Sequence, residues 1–97
     1  MGNPDGAPSA QLYGRDPVGA LPLPKYDIQD RGMITVFIWV NHEGKVEHAE
    51  IDVQHTNISN ARLRENTRQA ALSARFSAVS AGSELQKGSI TYIFKLK

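Results

Sequence analysis

Met33-Ile34-Thr35-Val36-Phe37-Ile38-Trp39-Val40, followed by Asn41-His42-Glu43-Gly44-Lys45-Val46, decides the fold. In the first run Ile34, Val36, Ile38 and Val40 fall on one face and Met33, Thr35, Phe37 and Trp39 on the other. Period-two alternation of β-branched and aromatic residues is a strand pattern. Because both faces are largely apolar, the strand belongs in the middle of its sheet. Asn41-His42-Glu43-Gly44 then reads as a hairpin, a type I turn closed by Gly44 in the left-handed region. A second strand follows over 45–54, but its parity slips: Val46 is even, whereas Ala49, Ile51 and Val53 are odd. A bulge near Glu47-His48 returns all four to one face.

Downstream, Ser59 or Asn60 is a good helix N-cap. From 61 to 76 a helix carries Leu63, Thr67, Ala70, Ala71 and Ala74 as a narrow stripe of mostly small residues, suited to lying close on a sheet. A loop over 80–88 leads to a third strand, 89–97, with Ile90, Tyr92, Phe94 and Leu96 inward and Thr91, Ile93, Lys95 and Lys97 outward. The fold class is therefore α+β, in the order β-β-α-β. The hairpin reverses the chain and the helix reverses it again, so the third strand lies antiparallel to the first. The expectation is a three-stranded antiparallel sheet in the order 2-1-3, one helix on one face, and the third strand as an edge with a row of backbone groups to offer.

Upstream, all five prolines and four of the eight glycines precede residue 26. Proline removes a backbone donor and glycine weakens regular structure, so 1–20 reads as a flexible linker and 21–97 as the folded domain. A chain of 97 residues supports one core. Without cysteine there can be no disulfide scaffold, thiolate zinc site or cysteine nucleophile. Eleven basic against ten acidic residues give no global field for nucleic acid or anionic lipid. The longest nearly apolar run, 33–40, is far short of the ~20 residues of a membrane-spanning helix, and the N-terminus lacks the pattern of a signal peptide. Either the protein is soluble where it is made or the sequence is part of a longer, anchored chain.

Few residues suggest catalysis. His42, His48 and His55 lack the spacing of a metal pair and read as surface imidazoles. No phosphate-binding glycine loop or nucleophile elbow occurs, and no two carboxylates are placed in a cleft. The expectation is a non-enzyme without cofactor or metal. Arg64, Arg68 and Arg75, with Arg62 nearby, read as a solvated helix face, since no aromatic residues interleave with them as in a nucleic-acid surface. More informative is the sheet face away from the helix. Thr35, Phe37 and Trp39, with Ile93, form an apolar patch that either meets a partner or is covered by Leu21, Leu23 or Tyr26.

Taken in order, Pro24-Lys25-Tyr26, Gly32 before Ile34–Val40, the hairpin Asn41–Val46, Ala70-Ala71, Phe76 and the closing Ile90-Thr91-Tyr92-Ile93-Phe94 resemble the C-terminal domain of TonB, the periplasmic energy transducer of Gram-negative bacteria. The glycine hairpin followed by Val46 is the most specific element. Asp27, His55-Thr56-Asn57 and Ser77-Ala78 depart from the family pattern and suggest a divergent member. The resemblance implies a periplasmic domain, tethered by an N-terminal anchor to an inner-membrane proton-channel complex, that grips outer-membrane TonB-dependent receptors. In that family a short receptor segment, the TonB box, adds as a strand beside the domain's third strand. Here that edge is Ser89, Ile90, Thr91, Tyr92, Ile93, Phe94 and Lys95, with Thr91, Ile93 and Lys95 placed to touch the peptide. The same fold could serve an envelope sensor or secretion component that binds protein or peptidoglycan. Strand exchange at that edge could also form a homodimer, opposed only by Lys95 and Lys97.

Overall fold

The computed structural model describes residues 8–25, 30–80 and 84–95; Tyr26, Leu96 and Lys97 lie outside them. Along the chain run β1 (Ser9–Gln11), β2 (Gly32–Val40), β3 (Val46–Ile51), a 3-10 turn (Val53–His55), α1 (Ala61–Leu72) and β4 (Gln86–Phe94). Ile34, Val36, Ile38 and Val40 of β2 have no solvent exposure. At roughly 1.5–3 kcal/mol for each buried aliphatic side chain, this face supplies much of the drive to fold.

The hairpin forms as its residues require. Asn41 Oδ1 accepts the N–H groups of Glu43 and Lys45, both at 3.0 Å, and Gly44 sits at φ 95°. In β3 the bulge is at Glu47, which lies between the pairs Trp39↔His48 and Val40↔Val46 and has no partner in that register. Val46 and Ala49 are thereby both buried and Ile51 packs on the core. The strand ends sooner than expected. Asp52, itself buried, accepts the N–H of Gln54 and caps the 3-10 turn, which throws Val53 out into solvent.

Asn60 is the N-cap of α1, its side chain accepting the Leu63 N–H at 2.9 Å. The expected stripe of Leu63, Thr67, Ala70, Ala71 and Ala74 is buried against β2 and β3. The helix closes at Leu72 instead of 76. The Ser73 N–H and hydroxyl both turn back to the Ala70 carbonyl, and Phe76 N–H donates to Gly44 O instead of continuing the helix.

β3, β2 and β4 lie side by side, all antiparallel, in the order expected for the second, first and third strands. The sheet nevertheless has four strands, not three, in the order β1-β4-β2-β3. β1 comes from the stretch read as linker. Proline and glycine forbid a long regular element there, but Ser9-Ala10-Gln11-Leu12 lies between Pro8 and Gly14 and contains neither residue. A three-residue edge strand is compatible with that punctuation. Beyond it, Pro17 bridges Phe76, and Val18 N–H bonds the Arg75 carbonyl at 2.9 Å.

Candidate peptide-docking edge and open sheet face

β4 is built so that its side chains serve the core and its backbone is left for pairing. Ile90, Tyr92 and Phe94 are buried in the same core cluster as the inner face of β2 and the stripe of α1. Lys87, Ser89, Thr91 and Ile93 alternate onto the opposite face, and the Thr91 hydroxyl is joined to that of Thr35 at 3.0 Å. Of the residues expected to touch a peptide, Ile93 and Lys95 are exposed and Thr91 is half-buried.

The expectation that this edge lies open fails over 89–91. β1 pairs there in the register Ser9↔Thr91, Ala10↔Ile90 and Gln11↔Ser89, antiparallel to β4. Leu12 follows on the helix side and is buried in the core, while Ala10 packs at its margin. Gly88 makes room for this: a Cβ at that position would stand 2.7 Å from Leu12 Cδ1 and 2.5 Å from the Gln11 carbonyl oxygen.

Arg15 is the second anchor, and composition did not reveal it. Its guanidinium is buried and reaches three separate parts of the chain. Nε donates to the Ser77 carbonyl at 2.9 Å, Nη2 to the Asn41 carbonyl at 2.8 Å, and Nη1 to Gln86 Oε1 at 3.4 Å. Gln86 in turn donates to the Tyr13 carbonyl at 2.7 Å. A tight turn with Gly14 at φ 72° and an Arg15 N–H to Leu12 O bond separates the two anchors. The alternation of Ala10 and Leu12 was the available signal, and two apolar residues are too few to stand out.

The sheet face opposite α1 is polar and aromatic rather than a bare apolar patch. Thr35 is buried and its N–H is held by Thr56 Oγ1, so it belongs to the interior and not to an exposed surface. Phe37 and Trp39 are half-buried. Lys87 Nζ lies 4.0 Å from the Phe37 ring centre and 5.4 Å from that of Trp39, and the His48 ring meets Trp39 at 4.9 Å between centres, tilted by 49°. The N-terminal segment does not cover this face with Leu21 or Leu23. Leu21 packs on the helix-side core, and Leu23, Pro24 and Lys25 line a shallow cleft with Asn66, Gln69 and Ala70 of α1.

The helix arginines are engaged in the fold. Arg64 Nε donates to the Ile58 carbonyl, and Arg68 pairs with Glu65 while reaching the Ala49 carbonyl of β3. His55 Nδ1 sits 2.7 Å from Asp52 Oδ2. No helix among the described residues is long and apolar enough to cross a membrane.

No protein-family model matches the chain, and no curated protein matches it in sequence. The structure is similar to the solution NMR structure of the Pseudomonas aeruginosa TonB CTD, with a TM-score of 0.60 over 88% of this chain and 89% of that one. The chain has a TonB-like fold. At 18% sequence identity the likeness concerns the fold. Within that TonB-like fold, the described elements combine one helix with an antiparallel sheet whose β4 already accepts an added strand.

Proposed function

We propose that this chain is a non-enzymatic, periplasmic TonB-like domain that takes an extended segment of outer-membrane receptors as an added strand on β4. Tethered through an upstream anchor to an inner-membrane proton-channel complex, it would couple the proton-motive force to uptake. The observation that carries the reading is the pairing of β4 with a short strand from a distant part of the chain. Recognition of this kind draws affinity from backbone hydrogen bonds and selectivity from pockets for alternate side chains. A weak global charge suits such a mode, which reads backbone instead of phosphate.

The test is calorimetric titration of the chain with synthetic peptides copied from the N-terminal extended segments of TonB-dependent receptors of the same bacterium. A saturable one-to-one isotherm is expected, abolished when proline replaces a central peptide residue, because proline cannot donate to a ladder. Equal binding of the proline peptide, or none by any peptide at millimolar concentration, would contradict the proposal.

A further inference from the structure

The occupant of the β4 edge describes the ligand that the edge prefers. We infer that β4 is a strand-accepting groove selective for an extended segment running antiparallel to it, with a small side chain opposite Ile90 and a leucine-sized one over Gly88, and that residues 9–12 fill it as an internal ligand which a partner displaces. In naming a partner this rests on the strand-addition reading above; the groove itself is argued from β1 alone.

Side chains two apart on a strand share a face. In β1 that places Ala10 and Leu12 on the helix side of the sheet, Ala10 at the margin of the core and Leu12 within it. The gap above Gly88 gives Leu12 its seat, and any larger residue in β4 at this position would close it. The opposite alternate positions, Ser9 and Gln11, are exposed and demand no particular side chain. Selectivity therefore lies in two positions, and the backbone ladder serves any sequence able to extend.

β1 is also suited to leaving. It has three residues, and Pro8 ahead of it has no N–H with which to lengthen the ladder. The chain beyond the turn is held separately. Besides the Arg15 bonds, Ser77 N–H donates to the Asp16 carbonyl at 2.8 Å, Asp16 N–H to Ser77 Oγ at 3.2 Å, and Val18 N–H to the Arg75 carbonyl at 2.9 Å. Gly14, at positive φ between the two halves, is the natural hinge. Residues 9–12 can thus lift from β4 while 15–18 stay docked. A strand tethered so closely competes at an effective concentration on the order of millimolar, so a partner must match the groove to replace it.

The experiment uses the full chain and, as probe, a fluorescein-labelled synthetic peptide of residues 8–18, followed by anisotropy. The unaltered chain should bind the probe weakly, because its own copy is in place. Leu12→Ser, which empties the seat over Gly88, should bind it about tenfold more tightly or better. Ala10→Asp, which leaves Leu12 and Arg15 untouched, should act in the same direction and serves if Leu12→Ser does not fold; preserved amide protection in β2 identifies folded variants. A probe that itself carries serine in place of leucine should bind neither variant. If folded variants bind the probe no more tightly than the unaltered chain, the inference is overturned. It is equally overturned if a receptor peptide binds the unaltered chain and Leu12→Ser with one affinity, although the proposed function then stands. Gain of probe binding without any receptor-peptide binding would support the groove and contradict the receptor reading.

Discussion

Gly44 and Tyr92 show how single residues hold this small core together. Gly44 has positive φ, and a Cβ there would run into the Phe76 carbonyl, whose own residue donates its N–H to Gly44 O at 2.9 Å. The turn and the end of the helix segment are thus locked across one glycine. Gly44→Ala should destabilise the chain by about 2 kcal/mol or more in urea unfolding. A loss below about 0.5 kcal/mol would mean that the contact relaxes freely. Tyr92 is buried, and its hydroxyl has no hydrogen-bond partner among the described residues. Burial pushes its pKa above the ordinary phenol value. The folded state therefore keeps the proton at a pH where the unfolded chain, titrating near ~10, releases it. Stability from this group is complete below that pH and falls as pH rises past it. Tyr92→Phe keeps the ring, removes the orphan hydroxyl, and should stabilise by about 1 kcal/mol at neutral pH. It should also flatten the alkaline limb of the stability–pH curve, which urea midpoints from pH 8 upward would show.

Among elements, α1 and β1 mark the two ends of what periodicity could reveal. The helix stripe and a bulge near Glu47-His48 were readable because each rests on several residues agreeing in phase. Side-chain chemistry narrows the cap to Ser59 or Asn60, of which the structure uses Asn60. β1 rests on Ala10 and Leu12 alone, in a stretch dominated by proline and glycine, and Arg15 is anchored by carbonyls that come together only after folding. The helix end and the early end of β3 were missed for a related reason, since Ser73 and Asp52 act through local hydrogen bonds that compete with regular structure. On α1, hydrogen bonds from the Arg68 guanidinium and then from Gln69 hold the Glu65 carboxyl down at about 2. Its unfolded value is near 4.5, so its contribution is present above that pH and is lost as pH falls through about 2. Glu65→Gln should flatten the acid limb between these two values, to a small extent because the carboxylate is exposed. An unchanged limb in urea unfolding at pH 5 and pH 2.5 would show that the Arg68 link from Glu65 toward β3 adds nothing.

For the whole molecule, connection lengths were enough to order β3, β2 and β4, and the family resemblance drawn from scattered residues agrees with a structural likeness at 18% identity. What could not be read was the occupancy of the edge, because it depends on where a distant segment comes to rest. That occupancy sharpens the central claim that β4 is a surface for added strands. The most direct measurement is an NMR titration of the isotope-labelled chain with a synthetic N-terminal receptor peptide. The account predicts shifts along Ser89–Lys95, together with Ser9–Leu12 moving toward unfolded positions as the internal strand is displaced. Shifts confined to α1 or β3, or none at all, would contradict it.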